Sequence, residues 1–388
     1  MQELKKYFLL KDNITYLNFG SFGACPKPVF ERYQQYQLEL EQEPVDFITN
    51  KGLKYLEQSR EALGKYVGCD KNDLVFVTNP SYAVNLIARN LALKEGDEVL
   101  STAIEYGACD KTWEFVCQKA GAKYIRQAIS FPIQSKEQFV ADFVKGITNK
   151  TKLVFISHIT STTGLILPVE EICSIAREKG ILTFVDGAHA PGHIKTDLQN
   201  SAFDMYTGAC HKWMMTPKGS SFLYVKKEYQ PVDPLVVSWG YKPLFPSGSA
   251  FLDHHQMNGT RDYSAFLTIP SAIDFMEAHN WWQVAAACRK LVLHNAPVLC
   301  ELLGTSPLAP LDDHFTGQMF SAPINTSQPE RLHDLFRNKY HIQIPVMRQD
   351  DKVYLRYSVN GFNDQADLDK LFDAIKDIQK TTDLIEPV

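Results

Sequence analysis

The 388-residue chain is long enough to bury a large core, and its 45% hydrophobic and 22% charged residues are ordinary for a globular protein. A formal net charge of −5, with no dense Lys/Arg run, excludes a general nucleic-acid binder. No apolar stretch is long enough to cross a bilayer, so neither a transmembrane helix nor a membrane partner is expected.

The N-terminal segment has only a brief apolar run, 7–10, before Lys11 and Asp12. It does not read as a signal peptide, and a cytoplasmic protein is expected. The glycine-rich stretch Tyr16-Leu17-Asn18-Phe19-Gly20-Ser21-Phe22-Gly23 leads through Cys25-Pro26-Lys27-Pro28 into a helix expected to reach about Glu43. A second helix is expected over 55–67, with Tyr55, Ala62, Leu63, Tyr66 and Val67 on one face and Gly68 as its stop. From Asp73 strand and helix signals alternate: strand 74–78, helix 81–93, strand 98–102, helix 107–120, strand 122–127, helix 136–144 and strand 153–157. Val169, Ile172, Cys173 and Ala176 recur at the helical period. The β-branched run 181–185, bounded by Gly180 and Gly187, then reads as a buried strand, and shorter strand-like runs follow at 203–207 and 221–225. Such alternation predicts an α/β fold whose mainly parallel sheet is covered by helices on both faces.

Beyond Lys226 the pattern is less regular. Residues 239–256 read as an extended arm over the site. Residues 264–278 and 281–303 read as helices, with kinks expected at Pro270 and Pro297. A smaller C-terminal α/β lobe follows, with apolar runs at 340–346 and 353–358. The expected division is a large domain over 16–262 and a small one over 263–388, joined by the N-terminal 1–15. The eight cysteines, at 25, 69, 109, 117, 173, 210, 288 and 300, contain no CxxC pair and suggest neither a metal site nor a disulfide framework.

Three places carry chemistry. The turn Thr78-Asn79-Pro80-Ser81-Tyr82 joins a strand directly to a helix with a serine as its expected cap. A helix start of this kind offers free N–H groups and a positive dipole end to a phosphate. Asp186 stands at the C-terminal end of its strand, where open α/β sheets place their ligands. Lys212 follows in Cys210-His211-Lys212-Trp213. A strand-end carboxylate and such a lysine are the two groups that pyridoxal 5′-phosphate needs most. The lysine forms the Schiff base, and the carboxylate keeps the pyridine nitrogen protonated. Taken singly, each is more often a turn residue or a solvated charge. Arg356, on an otherwise apolar strand, is either a structural ion-pair member or a fork for a carboxylate.

The joint pattern D-G-A-H-A-P-G, D-M-Y, H-K-W and P-K-G-S-S-F-L-Y-V over 186–225 is far more specific. It resembles the cofactor-lysine region of class V aminotransferases, the group that includes cysteine desulfurases, kynureninases and isopenicillin N epimerases. The resemblance spans about Tyr16 to Asn363 and implies the fold type I architecture of pyridoxal-phosphate enzymes, with a seven-stranded-type sheet in the large domain. It implies that Asn18 and Phe22 shape the substrate entrance, that Ser81 and Tyr82 (mainly through its backbone) hold phosphate with His211, and that Tyr106 stacks on the ring. Ser161 would bond the ring hydroxyl, and His189 would lie close to the ring from the other side. His158 reads as a satisfied strand histidine, and Ala209 departs from the serine of desulfurases. Met257-Asn258-Gly259-Thr260-Arg261-Asp262 resembles the G-T-R-D motif whose threonine reaches the neighbouring subunit's cofactor, which implies a homodimer with shared sites. The L-R-x-S setting of Arg356 resembles the family's clamp for an α-amino-acid carboxylate.

The implied activity begins with proton abstraction at Cα by the freed Lys212 amine, with Asp186 supporting the ring. Epimerisation of the isopenicillin N epimerase kind is the first expectation. A C–S lyase is the alternative; a type-I cysteine desulfurase is disfavoured, because 340–355 contains no cysteine to carry a persulfide. A cofactor-binding regulator without turnover is a further alternative, opposed by the intact Asp186, Lys212 and Arg356.

Overall fold

The computed structural model describes residues 2–386. The chain enters through β1 (Thr15–Tyr16) and one short helical turn, α1 (Phe19–Phe22). Helices α2 (Lys27–Gln42), α3 (Pro44–Asp46) and α4 (Gly52–Val67) follow. Gly68 ends α4 at φ +72, the left-handed cap that a residue with a Cβ rarely adopts.

Strand and helix then alternate as the sequence predicts. The run is β2 (Leu74–Val77), α5 (Pro80–Asn90), β3 (Glu98–Thr102), α6 (Gly107–Ala120), β4 (Lys123–Gln127), α7 (Lys136–Val144), β5 (Thr151–Ser157), α8 (Val169–Glu178) and β6 (Leu182–Gly187). β7 (Met205–Ala209) and β8 (Ser221–Val225) complete one seven-stranded sheet in the order β2-β8-β7-β6-β5-β3-β4. Only β8 runs against its neighbours. The inner strands are buried along their length, whereas the edge strand β4 is half exposed, as its Lys-Tyr-Ile-Arg-Gln alternation requires. α5 stops at Asn90, three residues short of the expected end.

Past β8 the structure corrects the expected arm. Residues 239–249 are irregular, then turn into helix α9 (Ala250–Gln256), capped by Ser249. No residue of the arm lines this chain's own central cavity. It lies instead against Ile48, Thr49 and Leu53. Pro270 does not kink one helix but starts a second: α10 (Ser264–Leu267) ends at Thr268 and α11 (Ile269–Ala278) begins with Pro270 in its first turn. α10 and α11 pack on α2 and α4, and Phe266, Leu267, Ile269 and Ile273 join the core beneath the large sheet. By apolar packing this pair goes with the large sheet, not with the lobe beginning at 263.

α12 (Trp281–Leu303) carries the chain into the second core. There β9 (Met319–Pro323), α13 (Pro329–Asn338), β10 (Ile342–Gln343), β11 (Val346–Gln349), β12 (Lys352–Ser358) and α14 (Gln365–Thr381) form the small lobe. Its antiparallel sheet has the order β11-β12-β9, and β10 pairs in parallel with β1 near the N-terminus. Leu4, Phe8, Phe19, Trp213, Met276, Trp281 and Phe362 share one apolar cluster, which ties the N-terminal segment to both lobes. Among the described residues no helix is long and apolar enough to cross a membrane.

Candidate active site

The cavity that matters opens at the carboxyl ends of the central strands and has a volume of 310 Å³. β5 and β6 run in register with Ser157 opposite Asp186, so both side chains leave the sheet at the same edge and line the cavity. Asp186 is 4% exposed. Its Oδ1 accepts the Ala188 N–H at 2.9 Å, and its Oδ2 faces the Cys109 thiol at 3.6 Å. Burial raises its pKa, while the Ala188 N–H and the charge on Lys212 oppose that rise.

Lys212 is held by the loop between β7 and β8. His211 N–H and Cys210 N–H both bond the Ser220 carbonyl, and the Thr216 N–H returns to Cys210. The loop is pressed against the chain's entry segment. A Cβ on Gly23, which has φ +63, would lie 2.5 Å from the His211 carbonyl and 2.6 Å from that of Lys212, so only glycine fits there. Lys212 Nζ lies 3.1 Å from His189 Nε2. Trp213 Nε1–H points to His189 Nδ1 at 3.4 Å, which puts the histidine's own proton on Nε2. That N–H meets Nζ favourably only when the lysine is a neutral amine. Burial brings Lys212 down to about 8 against the pull of Asp186, with Arg356 adding to the drop. Burial, then the Lys212 charge, also holds His189 well below its usual range.

His211 lines the cavity with Nδ1 2.9 Å from the Ser220 carbonyl, to which it donates, leaving Nε2 as an acceptor. Burial, then neighbouring Lys212, lowers it to about 4. At the start of α5, Asn79, not a serine, is the cap: its Oδ1 accepts the Tyr82 N–H at 2.8 Å. Asn79, Pro80 and Ser81 line the cavity, together with Ser161, His189, Tyr106 and Phe22. Tyr106 and Phe22, 47% and 65% exposed, stand at its mouth.

Arg356, on the small lobe, stands behind the cavity wall without lining it. It is fully buried on β12; its Nη1 donates to the Ser161 carbonyl and its Nη2 to Ser21 Oγ at 2.9 Å. Asn18 Oδ1 lies 3.4 Å from Nη2 and accepts the Ser21 hydroxyl at 2.5 Å, so Asn18 stands behind the cavity wall and Ser21 forms it. Nε is buried without a partner, and no carboxylate forms an ion pair with this guanidinium among the described residues. Burial lowers it to about 10, with Tyr16 opposing.

Four expected members do not line the cavity: Asn18 and Arg356 stand behind its wall, and Tyr82 and Thr260 line other clefts. Tyr82 has its N–H committed to the Asn79 cap, and it lines an adjoining cleft with Asn85, Arg89 and Leu235 that shares Asn79 and Ser81 with the cavity. Thr260 is exposed and borders a cleft with Trp239, Leu244, Phe245 and Tyr263. His158 bonds Tyr206 through Nδ1 at 3.0 Å and is lowered to about 4 by burial, as a strand histidine would be. The sequence reading missed Ser21, Asn79, Cys109 and Ser157, all in the cavity wall. An N-P dipeptide before a helix signals the Asn79 cap; nothing local distinguishes the other three.

Residues 16–371 match the family model "Aminotransferase class-V". The chain belongs to the class V aminotransferase family. Within it the chain is 33% identical to the isopenicillin N epimerase of Streptomyces clavuligerus, over 96% of this chain and 97% of the relative. It is 26% identical to the L-cysteine desulfhydrase of Arabidopsis thaliana, over 95% and 88%. Among solved structures, the cystine C–S lyase C-DES in complex with cysteine persulfide superposes with a TM-score of 0.81 at 21% identity, covering 94% of this chain and 98% of that one. The cysteine desulfurase of Thermococcus onnurineus NA1 gives 0.81 at 20%, covering 97% and 98%. This class V chain has the fold type I architecture and is a pyridoxal 5′-phosphate-dependent enzyme.

Proposed function

We propose that this class V enzyme abstracts the Cα proton of an α-amino acid or an amino-acid-containing substrate, and that its reaction is an epimerisation of the isopenicillin N epimerase kind. The observation that carries the reading is one cavity holding a buried carboxylate, Asp186, and an amine of lowered basicity, Lys212, with a guanidinium without a counter-ion, Arg356, behind its wall.

The donor set fits the cofactor. Asp186 supplies a buried anion for the pyridine nitrogen, the Asn79-capped start of α5 with Ser81 supplies donors and a positive dipole for phosphate, His211 lines the same cavity with Nε2 as an acceptor, and Lys212 supplies the point of attachment. Tyr106 offers an aromatic face at the mouth. When bound, the cofactor supplies an electron-withdrawing ring that stabilises negative charge at Cα. Arg356 holds the substrate carboxylate by turning its two Nη donors from Ser21 and Ser161 to the incoming anion. The freed Lys212 amine takes the Cα proton, its basicity set by burial and its direction by His189. Asp186 stays ionised through that step.

The second reading is a C–S lyase, favoured by relatives named as cysteine desulfhydrases and by the hercynylcysteine sulfoxide lyase of Schizosaccharomyces pombe, 25% identical over 97% of this chain. One experiment separates the two. The loaded enzyme is incubated with a panel of L- and D-amino acids and S-conjugates while chirality, pyruvate, ammonia and sulfide are followed together. Inversion without ammonia supports the first reading, and pyruvate with sulfide or thiol replaces it with the second.

Two copies are proposed to share their sites. Trp239, Leu244 and Phe245 are 76%, 80% and 89% exposed beside Thr260, an apolar edge that a lone chain would leave in water. A partner seated there would cover it and bring Thr260 toward the partner's phosphate. Eight cysteines without a CxxC pair or a disulfide-framework spacing support a cytoplasmic setting.

A further inference from the structure

Behind Asp186 lies a second buried carboxyl that the reaction described above does not use. Glu105 is 1% exposed, in the turn between β3 and α6, immediately before Tyr106. Its Oε1 receives the Thr102 hydroxyl at 2.6 Å, while its Oε2 receives the Ser157 backbone N–H at 3.0 Å and lies 2.5 Å from Ser157 Oγ. Among the described residues no lysine, arginine or histidine pairs with it. The titratable groups that face it are Asp186 from β6, Cys109 from α6 and Tyr124 from β4, none of them a cation. Glu105 is buried with no cation beside it among the described residues, and the nearby buried Asp186 carboxyl further disfavours its ionised form. Asp186 has the Ala188 N–H and the Lys212 charge in favour of its anion; Glu105 has only neutral donors.

We propose that Glu105 is a neutral, proton-carrying acid beside an ionised Asp186, and that it donates to Ser157 Oγ, turning the Ser157 hydroxyl outward as a donor into the cavity. Glu105 thus acts as a positioning residue. All its contacts are satisfied in that state: Oε1 accepts from Thr102, Oε2 accepts the Ser157 N–H, and the acid O–H spans the short distance to Oγ. Ser157 lines the cavity in register with Asp186, so its freed proton is offered to an acceptor in the cavity beside Asp186, and Asp186 keeps its charge because its neighbour has none. Burial pushes the Glu105 carboxyl up to about 7 against its hydroxyl and N–H donors, with Asp186 adding to the rise, in keeping with this arrangement.

The inference rests on the reading of this cavity as the cofactor site, but its first tests use the apoprotein. A group whose folded pKa is raised binds its proton more tightly when folded. Its contribution is therefore full below the unfolded value, about 4.3, and is lost as pH rises through the folded value. Apo Glu105→Gln, which cannot ionise, should gain thermal stability relative to wild type by a few degrees on going from pH 5 to pH 8. Difference infrared spectra at pH 6 should show a protonated carboxylic-acid carbonyl band that Glu105→Gln removes. A stability difference that stays flat with pH, or the lack of that band, overturns the proposal. For the cofactor, Ser157→Ala and Glu105→Leu should each weaken pyridoxal-phosphate binding about tenfold, and Glu105→Gln, whose NH2 can donate to Oγ but then faces the Ser157 N–H that Oε2 accepts, should restore only part of it. If Ser157→Ala and Glu105→Leu both bind the cofactor as tightly as wild type, the proposal is wrong. Attachment of the cofactor elsewhere would sink the site reading while leaving the infrared and stability results standing.

Discussion

Replacing Arg356 with alanine tests whether the guanidinium serves a substrate or the fold. In the free enzyme it makes contacts to the Ser161 carbonyl and Ser21 Oγ, has an unpartnered Nε, and has no counter-ion among the described residues. Such a buried charge is expensive to keep, so removing it relieves desolvation while forfeiting two hydrogen bonds to neutral groups. The two effects oppose each other, and the thermal stability of the apoprotein should change little. Against a substrate carboxylate the balance differs. Truncating one member of a buried, hydrogen-bonded charge pair costs roughly 2–5 kcal/mol. At 1.36 kcal/mol per tenfold, that is a loss of about 30- to 5,000-fold in kcat/KM. Arg356→Lys keeps the charge but not the fork and should also be clearly impaired. The assay is steady-state kinetics on an amino acid that turns over, with cofactor content read from absorbance and melting temperature measured beside it. Cofactor content should hold in both variants. If Arg356→Ala loses cofactor and melting temperature while keeping its kinetics toward amino acids, the arginine is a structural member of the lobe interface and the substrate assignment fails.

Competitive acylation of the apoprotein should give Lys212 a titration midpoint near 8, because burial has lowered it from 10.5 to about 8. Asp186→Asn should move that midpoint lower still, since the carboxylate favours the charged amine; a midpoint above 10 in either protein would contradict the neutral-base argument. Sedimentation of the loaded enzyme should show a dimer, and Phe245→Glu with Leu244→Glu should dissociate it and reduce activity. A fully active, loaded monomer at working concentration would remove the shared-site reading.

The sheet was legible because its strands are short apolar runs fenced by glycines and separated by helical periods. β3, α6, α7 and β8 fall on their expected bounds. Legibility failed where tertiary packing decides. Residues 264–278 read as a lead into the small lobe, yet Phe266 and Ile273 face the large core. The arm at 239–249 has no period to read, and its apolar side chains make sense only against something outside this chain. Asp186, His189, His211 and Lys212, which a compact run of sequence singles out, line one cavity, and Arg356, singled out as a charge on an apolar strand, stands behind its wall. Cys109, Ser157 and Glu105 were not singled out, because a small or acidic side chain shows its role only when the neighbouring strand is known. The Tyr82 N–H is taken by the Asn79 side chain for the helix cap, a local bond that the serine expected there as the cap would not predict.

The claim on which the rest depends is that Lys212 is the residue joined to pyridoxal 5′-phosphate. Borohydride reduction of the loaded enzyme, followed by proteolysis and mass spectrometry, reads that bond directly. The account predicts a single pyridoxyl adduct on the peptide containing Cys210-His211-Lys212-Trp213, absent from Lys212→Ala, which should still retain some cofactor without proton abstraction. An adduct on any other lysine in the wild-type enzyme would contradict it.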